Sequence, residues 1–126
     1  MSDAACATLS AAVSLFDDAQ YLASHELFEE LWEETQGPDA DFYKGCLQAT
    51  IALHHFQEGN LEGATKLYGG HRRFLAAYMP SHLGYDVAAL VRDMQSFLRP
   101  VLQREQGATA AELPFPTELR PRFQKS

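Results

Sequence analysis

Apolar residues recur at steps of three and four along most of this chain, the spacing that keeps side chains on one face of an α-helix. β-branched residues are sparse and apolar and polar residues do not alternate strictly, so few strand signals are present. Helices are predicted over residues 4–18, 21–35, 38–58, 61–78 and 86–104, with Asp86 as the cap of the last. The turns at Gly37 and Gly59 are short, so neighbouring helices should run antiparallel. The expected fold is an all-α, compact antiparallel bundle of about five helices.

The composition changes after the fifth helix. Proline and glycine become frequent and apolar anchors become rare from residue 106 onward. We therefore expect one helical bundle domain over residues 1–105 and an irregular, Pro-rich C-terminal tail over residues 106–126. The tail either drapes over the bundle through its few apolar side chains or stays without fixed structure.

Charge is distributed unevenly along the 126 residues. The chain has 10 Lys and Arg against 17 Asp and Glu, a formal net charge of −7, which argues against binding to nucleic acid or to an anionic membrane. Residues 1–43 contain ten acids and no Lys or Arg, whereas residues 66–104 contain six bases and two acids. Either the acids are an ordinary solvated helix surface, or the molecule is electrically two-ended and its halves can pair, as in a homo-oligomer.

No segment predicts export or membrane insertion. The chain has no apolar run of the roughly 18 residues that a membrane span requires, and no basic segment precedes the first helix. Its two cysteines, Cys6 and Cys46, fit neither a metal knuckle nor a disulfide framework, and Cys46 is expected to pack as a small apolar residue. These features predict a cytoplasmic protein.

The second helix carries the first candidate site residues. His25 and Glu29 are four residues apart and therefore meet on one helix face, beside Trp32 and the apolar stripe. The other glutamates of this helix lie on the opposite, solvent side. A carboxylate inside an apolar wall must be paired, hydrogen-bonded or bound to a metal, so Glu29 is the acid that indicates a function.

The third helix carries a matching set. Its polar residues Tyr43, Thr50 and His54 fall within one arc, together with the last residues of the helix, and that arc is predicted to face solvent. Gln48 and His55 are seven residues apart on another side, which makes His55 the expected inward histidine.

These two helices are expected to form an antiparallel hairpin in which His25, Glu29, Gln48 and His55 converge in one polar pocket. His25, Glu29 and His55 would ligate a divalent metal such as Zn, Fe, Mn or Ni, with Gln48 orienting a ligand or water. Three interpretations stay open: a structural His–Glu pair, a metal site, and a metal-free pocket for a small ligand that the sequence does not name. Whether the protein is an enzyme stays open with them, since the helix lacks the second histidine of the HExxH protease motif.

Two further features lie in the fourth helix and the loop after it. Gly69 and Gly70 predict either a kink or a close contact with another helix. His71 is expected on the surface and His82 in a loop, and neither is expected to be catalytic.

Three segments of the chain resemble domain-of-unknown-function family 309, a group of small bacterial and archaeal proteins. They are LFDDAQYLASHELFEELW, FYKGCLQATIALHHFQEGN and MPSHLGYDVAAL, which span roughly residues 12–98. The HxxxExxW signature of the family falls on His25, Glu29 and Trp32, and its third-helix glutamine and histidine fall on Gln48 and His55. The resemblance implies an all-α bundle and a motif suspected of metal binding, with no established activity.

Two hypotheses follow from these observations. In the first, the bundle holds a divalent metal at His25, Glu29 and His55, shielded by Trp32, and the metal-activated water supports hydrolytic chemistry. In the second, the protein is a non-enzymatic module that binds a protein partner or a second copy of itself, and His25 and Glu29 are a structural pair. The second hypothesis predicts that bases on the fourth helix, such as Arg72 and Arg73, contribute to association.

Overall fold

The computed structural model describes residues 2–104 and 119–126. Five α-helices account for most of them: α1 Asp3–Asp17, α2 Tyr21–Glu34, α3 Ala40–Gln57, α4 Leu61–Leu75 and α5 Val87–Leu102. A 3₁₀ turn, Ala76–Tyr78, extends α4, and two short strands, β1 Ser81–His82 and β2 Tyr85–Asp86, form an antiparallel hairpin. The all-α bundle is confirmed, and the hairpin replaces the irregular loop that the sequence predicted before α5.

Side-chain caps start three of the helices where the sequence places short polar residues. The side-chain oxygens of Ser2, Asn60 and Asp86 accept hydrogen bonds from the backbone N–H three residues later, at 3.1, 2.9 and 2.8 Å. Each cap satisfies a backbone donor that the helix itself leaves without a partner. The beginnings of α1, α4 and α5 therefore follow from local sequence.

α3 is the central helix, packed against α2 on one side and α4 on the other. Gly45 permits the close approach of α4, since a Cβ at this position would lie 2.6 Å from Cγ of Leu75. α4 continues through Gly69 and Gly70 as regular helix. Of the pair, Gly70 serves a close helix contact, since a Cβ there would overlap the Gln48 amide of α3, whereas a Cβ at Gly69 would meet only Arg73 of the same helix. A close contact was one of the two alternatives that the sequence left open.

The surroundings of α3 overturn the predicted solvent side of this helix. Tyr43 and Thr50 are 1% and 0% exposed, although both were expected to face solvent. The Thr50 hydroxyl donates to the carbonyl oxygen of Cys46 at 2.8 Å, so its polar group needs no water. His54, from the arc predicted to face solvent, is half-exposed, but so is the other side of α3, which carries Lys44 and His55. His55 is therefore not the enclosed histidine that the pattern predicted.

The end of the chain packs on the bundle. Phe123 places its ring 4.9 Å from Phe16, 5.9 Å from Phe28 and 5.6 Å from Tyr85, measured between centroids. The backbone N–H of Phe123 donates to the carboxylate of Asp17 at 2.8 Å. Residues 119–126 thus follow the draped alternative, while the earlier part of the predicted tail, residues 106–118, and the predicted domain boundary at 105 lie outside the described residues.

Two buried polar positions complete the core. Ser24 donates its hydroxyl proton to the carbonyl oxygen of Ala12 at 2.8 Å, which ties α2 to α1. His71 is 0% exposed, so its predicted surface position is wrong.

Cys46 is fully buried, as expected, and burial raises the pKa of its thiol. Within the part of the chain that is described, no helix has the length and apolar character needed to cross a membrane.

Candidate functional site

The HxxxExxW residues lie along one half-exposed stripe of α2. His25 Nε2 lies 3.4 Å from Glu29 Oε2, which confirms that the two side chains meet across one helical turn. The side chains of His25 and Glu29 are 25% and 44% exposed, and Trp32, one turn further on, is half-buried. Glu29 is therefore not the carboxylate within an apolar wall that the sequence indicated. Water solvates it, so it needs no metal to offset the cost of burial.

Lys44 connects this stripe to α3. Its Nζ lies 4.1 Å from the centroid of the Trp32 ring, within the range of a cation–π interaction. Lys44 thus reaches from the start of α3 across to α2, and its charge covers the indole face.

Gln48 and His55 lie on the same half-exposed side of α3 as Lys44 and turn toward α4. A Cβ at Gly70 would overlap Gln48 Oε1, so the amide rests directly on the α4 backbone. His55 packs near Gly63, and its Nδ1 accepts from the amide nitrogen of Asn60 at 3.3 Å. Both side chains thus contact α4 and the turn before it.

We call the combined surface of α2, α3 and α4 the motif face. Its members are half-buried side chains together with the glycine on which Gln48 rests: His25, Glu29, Trp32, Lys44, Gln48, Ile51, His55, Leu67, Gly70 and Phe74. Apolar and polar groups are interleaved on it, and Trp32, Ile51 and Leu67 also pack against the core. The motif face is an open surface of three helices where the sequence predicted an enclosed pocket of two.

The structure brings two of the three predicted metal ligands together. His25 and Glu29 form a pair on α2, whereas His55 is engaged with Asn60 at the C-terminal end of α3. Among residues 2–104 and 119–126, no group of three or more His, Cys, Asp or Glu side chains is arranged to hold a metal ion. A metal at this face would therefore have to take ligands beyond the described groups, such as water.

A second ionisable pair lies away from the motif face, at the hairpin before α5. His82 Nε2 lies 2.8 Å from Asp39 Oδ1, and the His82 ring packs against Phe42 and Tyr78, with centroids 4.9 and 4.6 Å away. Tyr78 in turn donates its hydroxyl proton to the carbonyl oxygen of Pro38. Sequence spacing does not predict this pair, because 43 residues separate its members and no local pattern signals a contact over such a distance.

Asp39 also lines a cavity of about 380 Å³ between the start of α1, the end of α2 and the start of α3. Glu30 and Glu34 contribute two more carboxylates to the lining, and the buried Tyr43 forms part of its wall. Burial, with the charge of Asp39 as the next cause, raises the pKa of Tyr43 to about 12. This acidic opening accounts for part of the charge asymmetry of the first 43 residues, and solvated carboxylates are sufficient to explain it.

Comparison with known proteins identifies the domain. Residues 9–67 match the family model described as Domain of unknown function (DUF309). No curated protein matches the chain. The matched segment contains α1 from residue 9 onward, α2, α3 and the first part of α4, and with them most of the motif face. The resemblance to family 309 is thereby confirmed over residues 9–67, slightly less than half of the chain.

Proposed function

We propose that this protein is a non-enzymatic interaction module and that the motif face is its contact surface. The observation that carries the proposal is the placement of the motif residues: His25, Glu29 and Trp32 lie half-exposed on a surface shared by three helices. Side chains whose role is to lock a core are expected inside it, and the groups of a reaction centre are expected in a cleft that excludes water. An open face of interleaved apolar and polar side chains suits contact with another surface.

The composition of the motif face supports this function. Trp32, Ile51, Leu67 and Phe74 are only partly buried by the bundle, so a partner that covered them would remove further apolar area from water. Aromatic side chains are enriched at protein interfaces, where they supply contact area with little loss of side-chain freedom. Leu22, one turn before His25 and Glu26 on α2, is 55% exposed and extends the apolar surface.

Within this function His25 and Glu29 are a surface pair that holds two side chains in one arrangement. Half-exposed pairs at a spacing of four residues stabilise a helix by about 0.3–0.5 kcal/mol. Their role would be to present a fixed polar patch beside Trp32. His25 and Glu29 would then be a structural pair, one of the three interpretations of the sequence, but at the surface of the bundle.

A divalent metal site at His25, Glu29 and His55 is the second candidate, with Zn, Fe, Mn or Ni as the ion and hydrolysis as its chemistry. The contact of 3.4 Å between His25 and Glu29 favours it, because it places an imidazole and a carboxylate on one face. Gln48 and Trp32 would then border the ion. His55 would have to leave its contact with Asn60 to become the third ligand.

Metal analysis separates the two candidates. The chain is purified without an affinity tag and its metal content is measured, and then its unfolding temperature is followed with each of the four ions added. We expect less than one equivalent of metal and no ion-dependent rise in Tm, because the described residues bring together two of the three predicted ligands, His25 and Glu29.

Two variants and one matched control complete the test. His25→Ala and Glu29→Gln should each lower the free energy of unfolding by about 0.5 kcal/mol or less, as expected for a surface pair. Glu34→Gln, at an exposed glutamate on the far side of the same helix, controls for the loss of one charge. One bound metal per chain, together with a Tm rise that His25→Ala and Glu29→Gln abolish and Glu34→Gln retains, would overturn the proposal in favour of the metal site.

A further inference from the structure

Two exposed acids border the motif face on the side of α2. Glu26 and Glu33 stand three residues before and four residues after Glu29, so they continue its stripe away from the core. We call Glu26 and Glu33 the acidic edge. Leu22, one turn before Glu26, adds an exposed apolar side chain next to it.

Two exposed bases border the same face on the side of α4. Lys66 and Arg73 stand four residues before and three residues after Gly70, on which Gln48 rests. We call them the basic edge. Arg72 points elsewhere, since its Nη1 lies 3.5 Å from the Tyr68 hydroxyl on the other side of α4. The structure therefore distinguishes two arginines that the sequence treated alike.

The two edges have the same spacing. The acids are seven residues apart and so are the bases, a rise of about 10.5 Å along each helix at 1.5 Å per residue. α2 and α4 run in the same direction, because each is antiparallel to α3. An acidic edge and a basic edge of equal length thus flank one apolar and polar stripe.

The edges also match in height. Lys44 of α3 contacts Trp32 of α2, and Gln48, four residues further along α3, contacts Gly70 of α4. Because α2 runs antiparallel to α3, Gln48 is level with the residue four before Trp32, which is Phe28. Gly70 is therefore level with Phe28. Counting along α4 from Gly70 then places Lys66 level with residue 24 of α2 and Arg73 level with residue 31. Each acid stands two residues further along α2 than the base that corresponds to it, a difference of about 3 Å.

A face-to-face two-fold dimer has two possible axis orientations, and only one of them pairs acidic edges with basic edges. Two copies that face each other are related by an axis in the plane of the interface. An axis perpendicular to the helices would place α2 on α2 and acid on acid. An axis parallel to the helices keeps every residue at its height, lays α2 of each copy along α4 of the other, and pairs each acidic edge with a basic edge.

We propose that the occupant of the motif face is a second copy of this chain, docked about a two-fold axis parallel to α3. The inference rests on the proposed contact function and names its partner. Glu26 faces Lys66 and Glu33 faces Arg73 on both sides of the dimer. Ile51 of one copy meets Ile51 of the other at the axis.

Lys44 fits this arrangement. It lies on the central stripe of α3, where two copies would bring like charges together. Its contact with the Trp32 ring turns the ammonium toward α2. The charge is thereby moved away from the axis and toward the acidic edge of its own copy.

A mixing experiment tests the pairing of the edges. One variant carries Glu26→Lys and Glu33→Lys, which makes both of its edges basic, and a second carries Lys66→Glu and Arg73→Glu, which makes both acidic. Dimerisation of the wild type and of each variant is measured by sedimentation equilibrium up to submillimolar concentration. We expect each variant alone to dimerise at least tenfold more weakly than the wild type, and an equimolar mixture to regain the dimer.

Matched controls keep the change in net charge and leave the edges intact. Glu30→Lys with Glu34→Lys alters the far side of α2, and Arg72→Glu with Arg99→Glu alters exposed bases outside the face. Both control variants should dimerise like the wild type. Circular dichroism of every variant verifies the helical fold before its association is compared.

Three outcomes would overturn the inference: a wild type that stays monomeric, a mixture that forms no more dimer than its components, or controls that weaken association as much as the edge variants. A monomeric wild type refutes the second copy as partner and leaves the contact function standing. That function fails separately, when one metal is bound per chain.

Discussion

His71 is buried in the core of the bundle with one ring nitrogen unsatisfied. Its Nδ1–H donates to the carbonyl oxygen of Tyr68, and its Nε2 has no hydrogen-bond partner among the described residues. Protonation of Nε2 would place a charged donor where nothing accepts it. Burial, opposed by the Tyr68 carbonyl and reinforced by the charge of Arg72, lowers the pKa of His71 from 6.5 to about 4.

This shift makes the stability of the protein depend on pH. Because the unfolded chain binds the proton near pH 6.5 and the folded chain only near 4, the unfolded state holds more protons between these values. The stability contributed by neutral His71 is fully present above pH 6.5. It decreases as the pH is lowered and is lost completely below pH 4. A difference of 2.5 pKa units corresponds to about 3 kcal/mol in total, of which about 2 kcal/mol is lost at pH 5.

Urea unfolding of the wild type and of His71→Asn at pH 7.5 and pH 5 measures this effect. Asparagine does not titrate, and its amide retains a donor for the Tyr68 carbonyl. The wild type should lose about 2 kcal/mol more than the variant between the two pH values. An NMR titration of the His71 ring in the folded wild type gives a second reading that needs no variant. Equal losses in both proteins, or a ring that titrates near pH 6.5, would refute the burial argument.

Two further predictions concern packing. Gly45→Ala should destabilise the protein by about 1–3 kcal/mol, because its Cβ would lie 2.6 Å from Leu75, whereas Gly69→Ala, with its nearest contact at 3.7 Å, should stabilise α4 by up to about 1 kcal/mol. Thermal unfolding checks both, and equal effects would contradict the close approach at α3. Phe123→Ala should cost about 2 kcal/mol, since the half-buried ring contacts three aromatic rings, while Leu119→Ala, at an exposed side chain, should change stability by less than about 0.5 kcal/mol. A neutral Phe123→Ala would show that the end of the chain does not stabilise the bundle.

Local sequence signals predicted most of the fold. The α2 start at Tyr21 and the α4 start at Leu61 agree with the prediction, and the Asp86 cap lies where it was expected. These features depend on residues within one helical turn of each other, so a single sequence contains them. The family resemblance rests on the same local segments, and the match over residues 9–67 confirms it.

The side of α3 that faces solvent could not be read from polarity. Thr50 satisfies its hydroxyl within its own helix, and both Tyr43 and Thr50 are buried in the bundle. Burial of a central helix is decided by its neighbours, and a periodicity argument that treats one helix alone cannot include them. The inverted orientation is what turned a predicted pocket around His55 into the open motif face.

Contacts between distant segments were also beyond the sequence. His82 meets Asp39 across 43 residues, and Phe123 reaches rings that belong to α1, α2 and the hairpin. Only the packed bundle brings these groups together. His71 belongs to the same class, since its burial results from the contacts of α4 with the rest of the core.

Native mass spectrometry of the untagged wild-type chain tests the central claim most directly, because one spectrum reports both assembly and bound metal. We predict a species of twice the chain mass of 14.1 kDa, without added metal, that dissociates as the salt concentration is raised before transfer. A monomer that carries one metal ion would contradict the account of the motif face as a contact surface.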